Sequence, residues 1–149
     1  MSLENNITIK IKEAMKAKDV IRLEALRAIK SSLLLLKTED RNKEVSEKKE
    51  IQVLQKLVKQ RKDSASIFRE QNRIDLSEPE EAQANVISEF LPDQMSDSEI
   101  EIVVINTITQ ISANGMKDMG KVMGIVSQRL LGKADGKTIS KIVKEKLSL

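Results

Sequence analysis

Residues 132–138 read GKADGKT, and this segment is the part of the sequence closest to a phosphate-binding loop. Such a loop has the form G-x-x-x-x-G-K-[ST], and its backbone amides and lysine hold the phosphates of a nucleotide. Here three residues separate Gly132 from Gly136, and Leu131 stands where the first glycine is required. The residues before Gly132 have a helical pattern, whereas the loop follows a buried strand. The sequence therefore predicts no nucleotide cofactor, and it predicts that Gly132 ends one helix and Asp135 caps the next.

The residue types that perform covalent or metal-dependent chemistry are largely missing. The chain contains no Cys and no His, which removes thiolate nucleophiles, thiolate metal sites and the commonest general base. Two groups of carboxylates are close in sequence, but each lies near a predicted helix N-terminus, where the helix dipole favours negative charge. These groups are Asp93 with Asp97, and Glu78 with Glu80 and Glu81. We therefore predict no catalytic residue, no cofactor and no metal site.

Basic side chains that follow residue 116 are the remaining candidates for a functional site. Several of them recur at helical spacing, opposite an apolar stripe that includes Ile139, Val143 and Leu147. Phe68 and Phe90 are the chain's two aromatic residues, so stacking of single-stranded bases is not expected. Shape and phosphate contacts with a folded RNA fit better. The predicted RNA-binding residues are Lys117, Lys121, Arg129, Lys133, Lys137, Lys141 and Lys144.

The net charge of +3 is divided into three blocks of opposite sign. Residues 1–77 contain 18 basic and 12 acidic side chains, which gives +6. Residues 78–116 contain 8 acidic side chains and no basic one, and residues 117–149 contain 8 basic and 3 acidic ones, which gives −8 and +5. This division indicates a protein with one side that faces a polyanion. The alternative is that the blocks are ordinary solvated helix surfaces.

Apolar residues recur with a helical period along nearly the whole chain, and no stretch alternates as a strand does. We predict an all-α protein with an N-terminal bundle of long helices over residues 1–92 and a small three-helix domain over residues 93–149. A first helix contains Ile7, Ile11 and Met15 and ends near Lys18. The later helices are predicted at about 19–37, 46–73, 77–91, 96–114, 119–130 and 135–147, with a charged connection at 38–45. The apolar run 33–36 predicts that the second helix is sandwiched between neighbours.

Several helix ends are predicted from capping residues. Asp19, Ser46 and Asp118 are candidate N-caps, Ser77 with Pro79 and an acidic first turn indicates a helix start, and Ser96 with Glu99 forms a capping box. Asn114 with Gly115 is predicted to end the fifth helix.

Three residues inside predicted helices are of types that usually contact another group. Arg61 falls on an apolar stripe, so either its stem lies along that surface or a carboxylate pairs with it. Gly120 and Gly124 share one helix face and each costs about 1 kcal/mol relative to alanine. We predict that another helix crosses this face closely, with a smooth surface for a partner such as an RNA backbone as the alternative.

The sequence also contains no signal for a membrane. Its first residues include no apolar signal-peptide core, and no apolar run reaches the roughly 18 residues that span a bilayer. We therefore predict a cytoplasmic location.

Three segments carry a resemblance to a known family. They are residues 60–76, QRKDSASIFREQNRIDL, residues 87–100, ISEFLPDQMSDSEI, and residues 116–124, MKDMGKVMG, followed by GKADGKTISKIVKEKL. Together and in this order they resemble the signature of the YqeY family, which is related to the C-terminal tail of the B subunit of tRNA-dependent amidotransferase. Lys133 stands where the family frequently has arginine, which keeps the charge.

The resemblance implies a two-part, all-helical architecture and a connection with tRNA. In the amidotransferase the related tail contacts the body of the tRNA, and the chemistry belongs to the rest of the assembly. Family members are labelled carbon–nitrogen ligases that use glutamine as amido donor, a label we interpret as inherited from the larger relative. Our leading hypothesis is a non-catalytic accessory protein that binds tRNA or another structured RNA, with amidotransferase or aminoacyl-tRNA synthetase components as possible partners.

Two other functions stay open. One is a protein–protein adaptor of the translation or amidotransferase machinery, with residues 78–101 or the long helix as its docking face. The other is an amidotransferase that acts by itself, for which the sequence offers no activated nucleophile.

Overall fold

The computed structural model describes residues 2–39 and 45–148, and within these ranges it is helical with no strand. The all-α class predicted from the sequence is confirmed for this part of the chain. A short 3-10 helix at Met116–Asp118 precedes the sixth α-helix. The α-helices are α1 (Leu3–Ala17), α2 (Val20–Glu39), α3 (Glu47–Glu70), α4 (Ile74–Ser88), α5 (Asp97–Ile111), α6 (Met119–Arg129) and α7 (Gly136–Leu147).

Residues 1–91 form one compact unit, unit 1, which contains α1 to α4. α3 packs along α4, and α2 contacts α1, α3 and α4. The core is aliphatic, as the shortage of aromatic residues requires, and its fully buried side chains include Ile7, Leu26, Ile29, Leu54 and Ile87. Removal of this apolar surface from water is the main stabilising contribution to the unit.

Residues 92–149 form the second compact unit, unit 2, in which α5, α6 and α7 pack against one another. Ile100, Val104, Val122, Val126 and Val143 form the centre of its core and are essentially inaccessible to solvent. Two hydrogen bonds join the segment before α5 to the turn between α6 and α7. The Gln94 side chain donates to the Gly132 carbonyl at 2.6 Å, and the Met95 amide donates to the Lys133 carbonyl at 2.8 Å.

Four predicted N-caps are confirmed by hydrogen bonds from the helix amides to the capping side chain. Asp19 accepts from the Arg22 amide at 3.1 Å, and Ser46 accepts from the Lys49 amide at 3.3 Å. Ser96 and Glu99 form the complete capping box, and Asp135 accepts from the Thr138 amide at 2.8 Å. Gly132 has φ 80, the left-handed conformation expected of a glycine after a helix.

The predicted start of α4 at Ser77 is wrong, since the helix begins three residues earlier at Ile74. The amides of Leu76 and Ser77 both donate to the Arg73 carbonyl at 3.0 Å, so the first turn forms upstream of the capping signal. Ser77 is fully buried inside the helix, and Pro79 is also in its interior. α4 ends at Ser88 rather than Leu91, because the amides that follow bond to carbonyls three residues back and tighten the chain.

The predicted bounds of α2 and α3 are also wrong in part. α2 continues through Glu39, so Thr38 and Glu39 are helical rather than part of the connection, and residues 40–44 lie outside the described residues. The predicted sandwiching of residues 33–36 is wrong, because Leu34 is 45% and Leu35 is 64% exposed. α3 ends at Glu70 instead of near Arg73 because Asn72, at φ 58, turns the chain into its left-handed conformation.

Two predicted helix caps between α5 and α6 are wrong, the C-terminal cap at Gly115 and the N-cap at Asp118. α5 ends at Ile111, where Ser112 at φ 52 closes the helix and Gly115 comes too late to do so. The Asp118 carboxylate accepts from the Asn114 amide at 2.8 Å and makes no capping bond to α6. The 3-10 helix runs directly into α6, so the first turn of α6 is already formed.

Arg61 is bound through an amide rather than directly to a carboxylate. Its Nε donates to Gln83 Oε1 at 3.0 Å, and Gln83 Nε2 donates to Glu24 Oε2 at 3.0 Å. Arg61 also donates to the Leu57 carbonyl at 3.1 Å, one turn earlier in α3. The guanidinium is therefore linked to α4 and, through it, to α2.

Candidate nucleic-acid interface

The exposed face of α7 carries three of the predicted RNA-binding residues. Lys137, Lys141 and Lys144 are exposed, and the buried face holds Ile139, Ile142, Val143 and Leu147. At a rise of about 1.5 Å per residue, the first and last of these lysines are about 10 Å apart along the helix. None of the three pairs with an acidic side chain in the described part of the chain. Their charges are therefore available to a ligand.

Three further lysines are exposed along the segment that leads into α7. Lys117 lies in the 3-10 helix, Lys121 in the first turn of α6, and Lys133 in the turn between α6 and α7. No ion pair involves any of them within residues 2–39 and 45–148. Six of the seven predicted residues are thus exposed lysines of unit 2 that form no ion pair with a described residue. We refer to these six together as the lysine surface: Lys117, Lys121, Lys133, Lys137, Lys141 and Lys144.

Arg129 differs from these six because its guanidinium is held by α5. Its Nη1 donates to Thr107 Oγ1 at 3.1 Å, and its Nη2 donates to Gln110 Oε1 at 2.8 Å. Thr107 is fully buried and donates in turn to the Val103 carbonyl at 2.8 Å. Arg129 therefore joins the C-terminal end of α6 to α5, a role that the sequence analysis missed.

Gly120 and Gly124 lie on an open face of α6, so the predicted close crossing by another helix is wrong. Both glycines are exposed, and a Cβ atom added to either one would meet no atom within 4 Å. Lys121 stands between them on the same exposed side of the helix. The cost of two glycines inside a helix is therefore not offset by packing within the described structure.

Charge in unit 2 is divided between α5 and the two helices that follow it. Residues 92–116 contain 4 acidic side chains and no basic one, and residues 117–149 contain 8 basic and 3 acidic ones. One contact bridges the two sets, since Lys146 Nζ lies 2.6 Å from Glu101 Oε1. In the capping box, hydrogen bonds from the Ser96 amide and hydroxyl lower the pKa of Glu99. Acidic groups therefore concentrate at the start of α5, apart in sequence from the lysine surface.

Two observations on the described residues concern metal binding and nucleophilic chemistry. They contain no group of three acidic side chains placed to hold a metal ion. An open groove of about 400 Å³ between α3 and α4 contains a serine and a lysine, Ser66 and Lys62, which form no hydrogen bond with each other. Arg69 and Glu81, which also line this groove, are paired across it. The groove therefore holds no activated nucleophile.

None of the described helices combines the length and the apolar character that a membrane span requires.

A family model for Yqey-like proteins matches residues 4–147 of the chain. The chain belongs to the YqeY family. The match covers both compact units, from α1 through α7. It confirms the resemblance carried by residues 60–76, 87–100, 116–124 and 132–147.

Curated relatives of the YqeY chain fall into two groups by name. Altered inheritance of mitochondria protein 41, mitochondrial, from Lachancea thermotolerans is 32% identical over 71% of this chain and 58% of its own length. The protein of the same name from Clavispora lusitaniae is 31% identical over 76% of this chain and 66% of its own length. The E subunit of Glutamyl-tRNA(Gln) amidotransferase from Thermococcus gammatolerans is 36% identical over 46% of this chain and 12% of its own length.

The chain thus spans less than two-thirds of the length of each of these relatives. The amidotransferase relative is an E subunit, whereas the resemblance in the sequence pointed to the tail of a B subunit. Two relatives are named as mitochondrial proteins, so the cytoplasmic location stays a prediction.

Proposed function

We propose that this YqeY protein is a non-catalytic accessory protein that binds structured RNA, most fittingly tRNA, through the lysine surface. The observation that carries the proposal is the set of six exposed lysines on the 3-10 helix, α6, the following turn and α7, none of which forms an ion pair with a described residue. Lysine without an acidic partner binds phosphate by charge, and each phosphate contact releases counterions. The chain's two aromatic residues, Phe68 and Phe90, precede unit 2, so the lysine surface has no aromatic side chain of unit 2 on which a base could stack. It is therefore suited to recognise the shape and the phosphate backbone of an RNA rather than its bases.

The open face of α6 supports this proposal. Gly120 and Gly124 expose helix backbone on either side of Lys121, with no described atom near the position of an added Cβ. Glycine, which has no side chain, permits a sugar–phosphate backbone to approach the helix closely at these two positions. The stability that two helix-interior glycines cost is then explained by binding rather than by packing.

The division of charge in unit 2 favours one orientation of a bound RNA over others. The start of α5 carries Asp97, Glu99 and Glu101, which repel a polyanion, whereas the lysine surface attracts one. A folded RNA is therefore oriented with its backbone toward α6 and α7. Arg129, which was predicted with the lysines, contributes charge near this surface while its guanidinium holds α5 and α6 together.

The relative named as the E subunit of Glutamyl-tRNA(Gln) amidotransferase supports tRNA as the ligand and an amidotransferase complex as the setting. Aminoacyl-tRNA synthetase components are the other partners that this setting suggests. We propose that the chain has two domains, residues 1–92 and residues 93–149, and that the second domain binds RNA. We assign no amide-transfer chemistry to this chain, because the described residues offer no activated nucleophile.

Titration with tRNA at two ionic strengths tests the proposal. We expect binding at about 50 mM salt that weakens by at least about tenfold at about 200 mM, since several phosphate contacts are lost together. The double substitution Lys137→Glu with Lys141→Glu should weaken binding at low salt by more than about tenfold. The control is Lys12→Glu with Lys16→Glu, which makes the same charge change at the same spacing on the exposed face of α1.

Two results contradict the proposal. One is the absence of tRNA binding at low salt. The other is an equal loss of affinity in the α1 and α7 double variants, which would show that overall charge, rather than the lysine surface, is responsible.

A protein–protein adaptor is the second candidate function, and one observation on α5 favours it. Ile102 is 60% and Ile105 is 43% exposed, one turn apart on the same helix face. Residues 102–116 contain no charged side chain. Exposed apolar groups that share one helix face are a feature of surfaces that bind other proteins.

A further inference from the structure

The first turn of α4 contains a buried hydroxyl group without a hydrogen-bond partner. Ser77 is fully buried, and among the described residues its Oγ is the buried side-chain oxygen that makes no hydrogen bond. Other serines inside helices avoid this state. Ser88, in the same helix, donates to the Ala84 carbonyl at 2.9 Å. Because an unsatisfied buried polar group is destabilising, the turn around Ser77 is less stable than its helical geometry indicates.

The backbone of the same turn lacks one regular helical hydrogen bond and a side-chain cap. Pro79 has no amide hydrogen, so the Asp75 carbonyl lacks its usual helical donor. The amides of Leu76 and Ser77 share the Arg73 carbonyl, and Arg73 makes no capping bond from its side chain. Ile74 is 56% and Leu76 is 38% exposed, so neither apolar side chain of the turn is fully buried. Unwinding residues 74–76 therefore disrupts no fully buried apolar side chain.

The sequence offers a second place at which α4 can begin. Ser77 is a preferred N-cap residue, Pro79 is tolerated in a first turn, and Glu80 stands at the third helical position after Ser77. In that arrangement the Ser77 hydroxyl accepts from the Glu80 amide, and the Glu80 carboxylate accepts from the Ser77 amide. Ser96 and Glu99 form this same capping box at the start of α5. The unpartnered hydroxyl would thereby gain a partner.

We propose that α4 exchanges between two N-termini, a long form that begins at Ile74 and a short form that is capped by Ser77. The long form is the one in the structure, and in it the buried Ser77 hydroxyl has no partner among the described residues. In the short form residues 74–76 join the connection between α3 and α4, and Ile74 and Leu76 leave their positions on the helix. The Arg73 and Asp75 side chains, whose Nη2 and Oδ2 atoms are 3.0 Å apart, belong to this connection and can stay paired. This exchange is independent of RNA binding.

Two substitutions at Ser77 should shift the exchange in opposite directions, one toward the long form and one toward the short form. Ser77→Ala removes both the unpartnered hydroxyl and the alternative cap, so it stabilises the long form. We expect hydrogen exchange at the amides of residues 77 and 78 to slow about tenfold relative to residues 81–88, in line with the cost of an unsatisfied buried polar group. Ser77→Asp supplies a strong N-cap that resists burial, so residues 74–76 should lose their helical 13Cα shifts while residues 81–88 keep theirs.

Ser88→Ala is the matched control, because its hydroxyl is already hydrogen-bonded in the same helix. We expect this variant to leave the exchange ratio between residues 77–78 and 81–88 unchanged. The proposal is wrong if Ser77→Ala leaves that ratio unchanged, or if Ser77→Asp folds with residues 74–76 still helical. Where Ser77→Asp fails to fold, the exchange ratio in Ser77→Ala decides the matter by itself.

Discussion

At the scale of single residues, Glu99 connects local sequence with a response to pH. Its Oε1 accepts hydrogen bonds from the Ser96 amide at 3.2 Å and the Ser96 hydroxyl at 2.9 Å. These bonds favour the ionised carboxylate, so the pKa of Glu99 is lowered on folding. A lowered pKa stabilises the folded state above the ordinary value of about 4.3, and the contribution is lost as pH falls through the folded-state value.

We expect Glu99→Gln to keep the capping box while it removes this titration. Unit 2 of the natural chain should be more stable than the variant at about pH 7, and this difference should vanish by about pH 3. Urea unfolding followed through the NMR signals of α5 at the two pH values measures it. Glu145→Gln, which removes a carboxylate outside any cap, is the control. A difference that is the same at both pH values would contradict the prediction.

Single residues also show how far the candidate site could be predicted from the sequence. Residue type and helical spacing were sufficient to predict that Lys137, Lys141 and Lys144 share a face opposite the apolar stripe. They were not sufficient for Arg129, whose partners Thr107 and Gln110 are 22 and 19 residues away in the chain. A hydrogen bond between distant polar groups leaves no periodic pattern, so Arg129 was predicted to be one more free cation.

At the scale of helices, we expect replacement of the two glycines of α6 by alanine to raise the stability of unit 2 and to weaken tRNA binding. Gly120→Ala with Gly124→Ala should stabilise unit 2 by up to about 1 kcal/mol at each site, because alanine is the better helix former. No described neighbour obstructs the added methyl groups. The same methyl groups should lower the affinity for tRNA, because they cover the exposed backbone. Thermal unfolding and tRNA titration of the double variant measure the two effects.

Asn106→Ala is the control for this comparison, since it improves helix propensity at an exposed position of α5 and leaves α6 unchanged. It should raise stability without an effect on tRNA binding. If the glycine double variant binds tRNA as tightly as the natural chain, the open face of α6 takes no part in RNA recognition.

Helix boundaries show which predictions local sequence supports. Ser46, Ser96 and Asp135 were predicted correctly because each cap stands about one helical turn before an apolar periodic run. Ser77 looked equally suitable, but α4 packs along α3 and extends upstream of it. A cap contributes about 1 kcal/mol, so tertiary contacts readily override it. Residues 34 and 35 are a similar case, since apolar character predicts a helix but not how many neighbours surround it.

At the scale of the whole molecule, the two candidate functions predict different results when the protein is isolated with its partners. If RNA mediates its associations, nuclease treatment should release the bound partners, and Lys137→Glu with Lys141→Glu should release the same ones. If the exposed apolar face of α5 binds a protein, that partner should survive nuclease and be lost from Ile102→Ser with Ile105→Ser. We expect the first result. Capture that depends on the α5 pair alone would favour the adaptor.

Composition and charge predicted the general properties of the molecule more reliably than its details. With Phe68 and Phe90 as the chain's two aromatic residues, the composition required a largely aliphatic core, and the buried residues of both units are aliphatic. The three charge blocks predicted that unit 2 is acidic at the start of α5 and basic on α6 and α7. These properties depend on sums over many residues, so errors at single positions have little effect on them.

Two helix ends leave this protein below the stability that its fold permits. Lys18 at φ 56 and Ser112 at φ 52 close α1 and α5 in the left-handed conformation, where a residue with a side chain costs about 1–2 kcal/mol more than glycine. Both positions lie outside the lysine surface and α4. Glycine at these two positions should therefore give a more heat-resistant protein, with the lysine surface left unchanged.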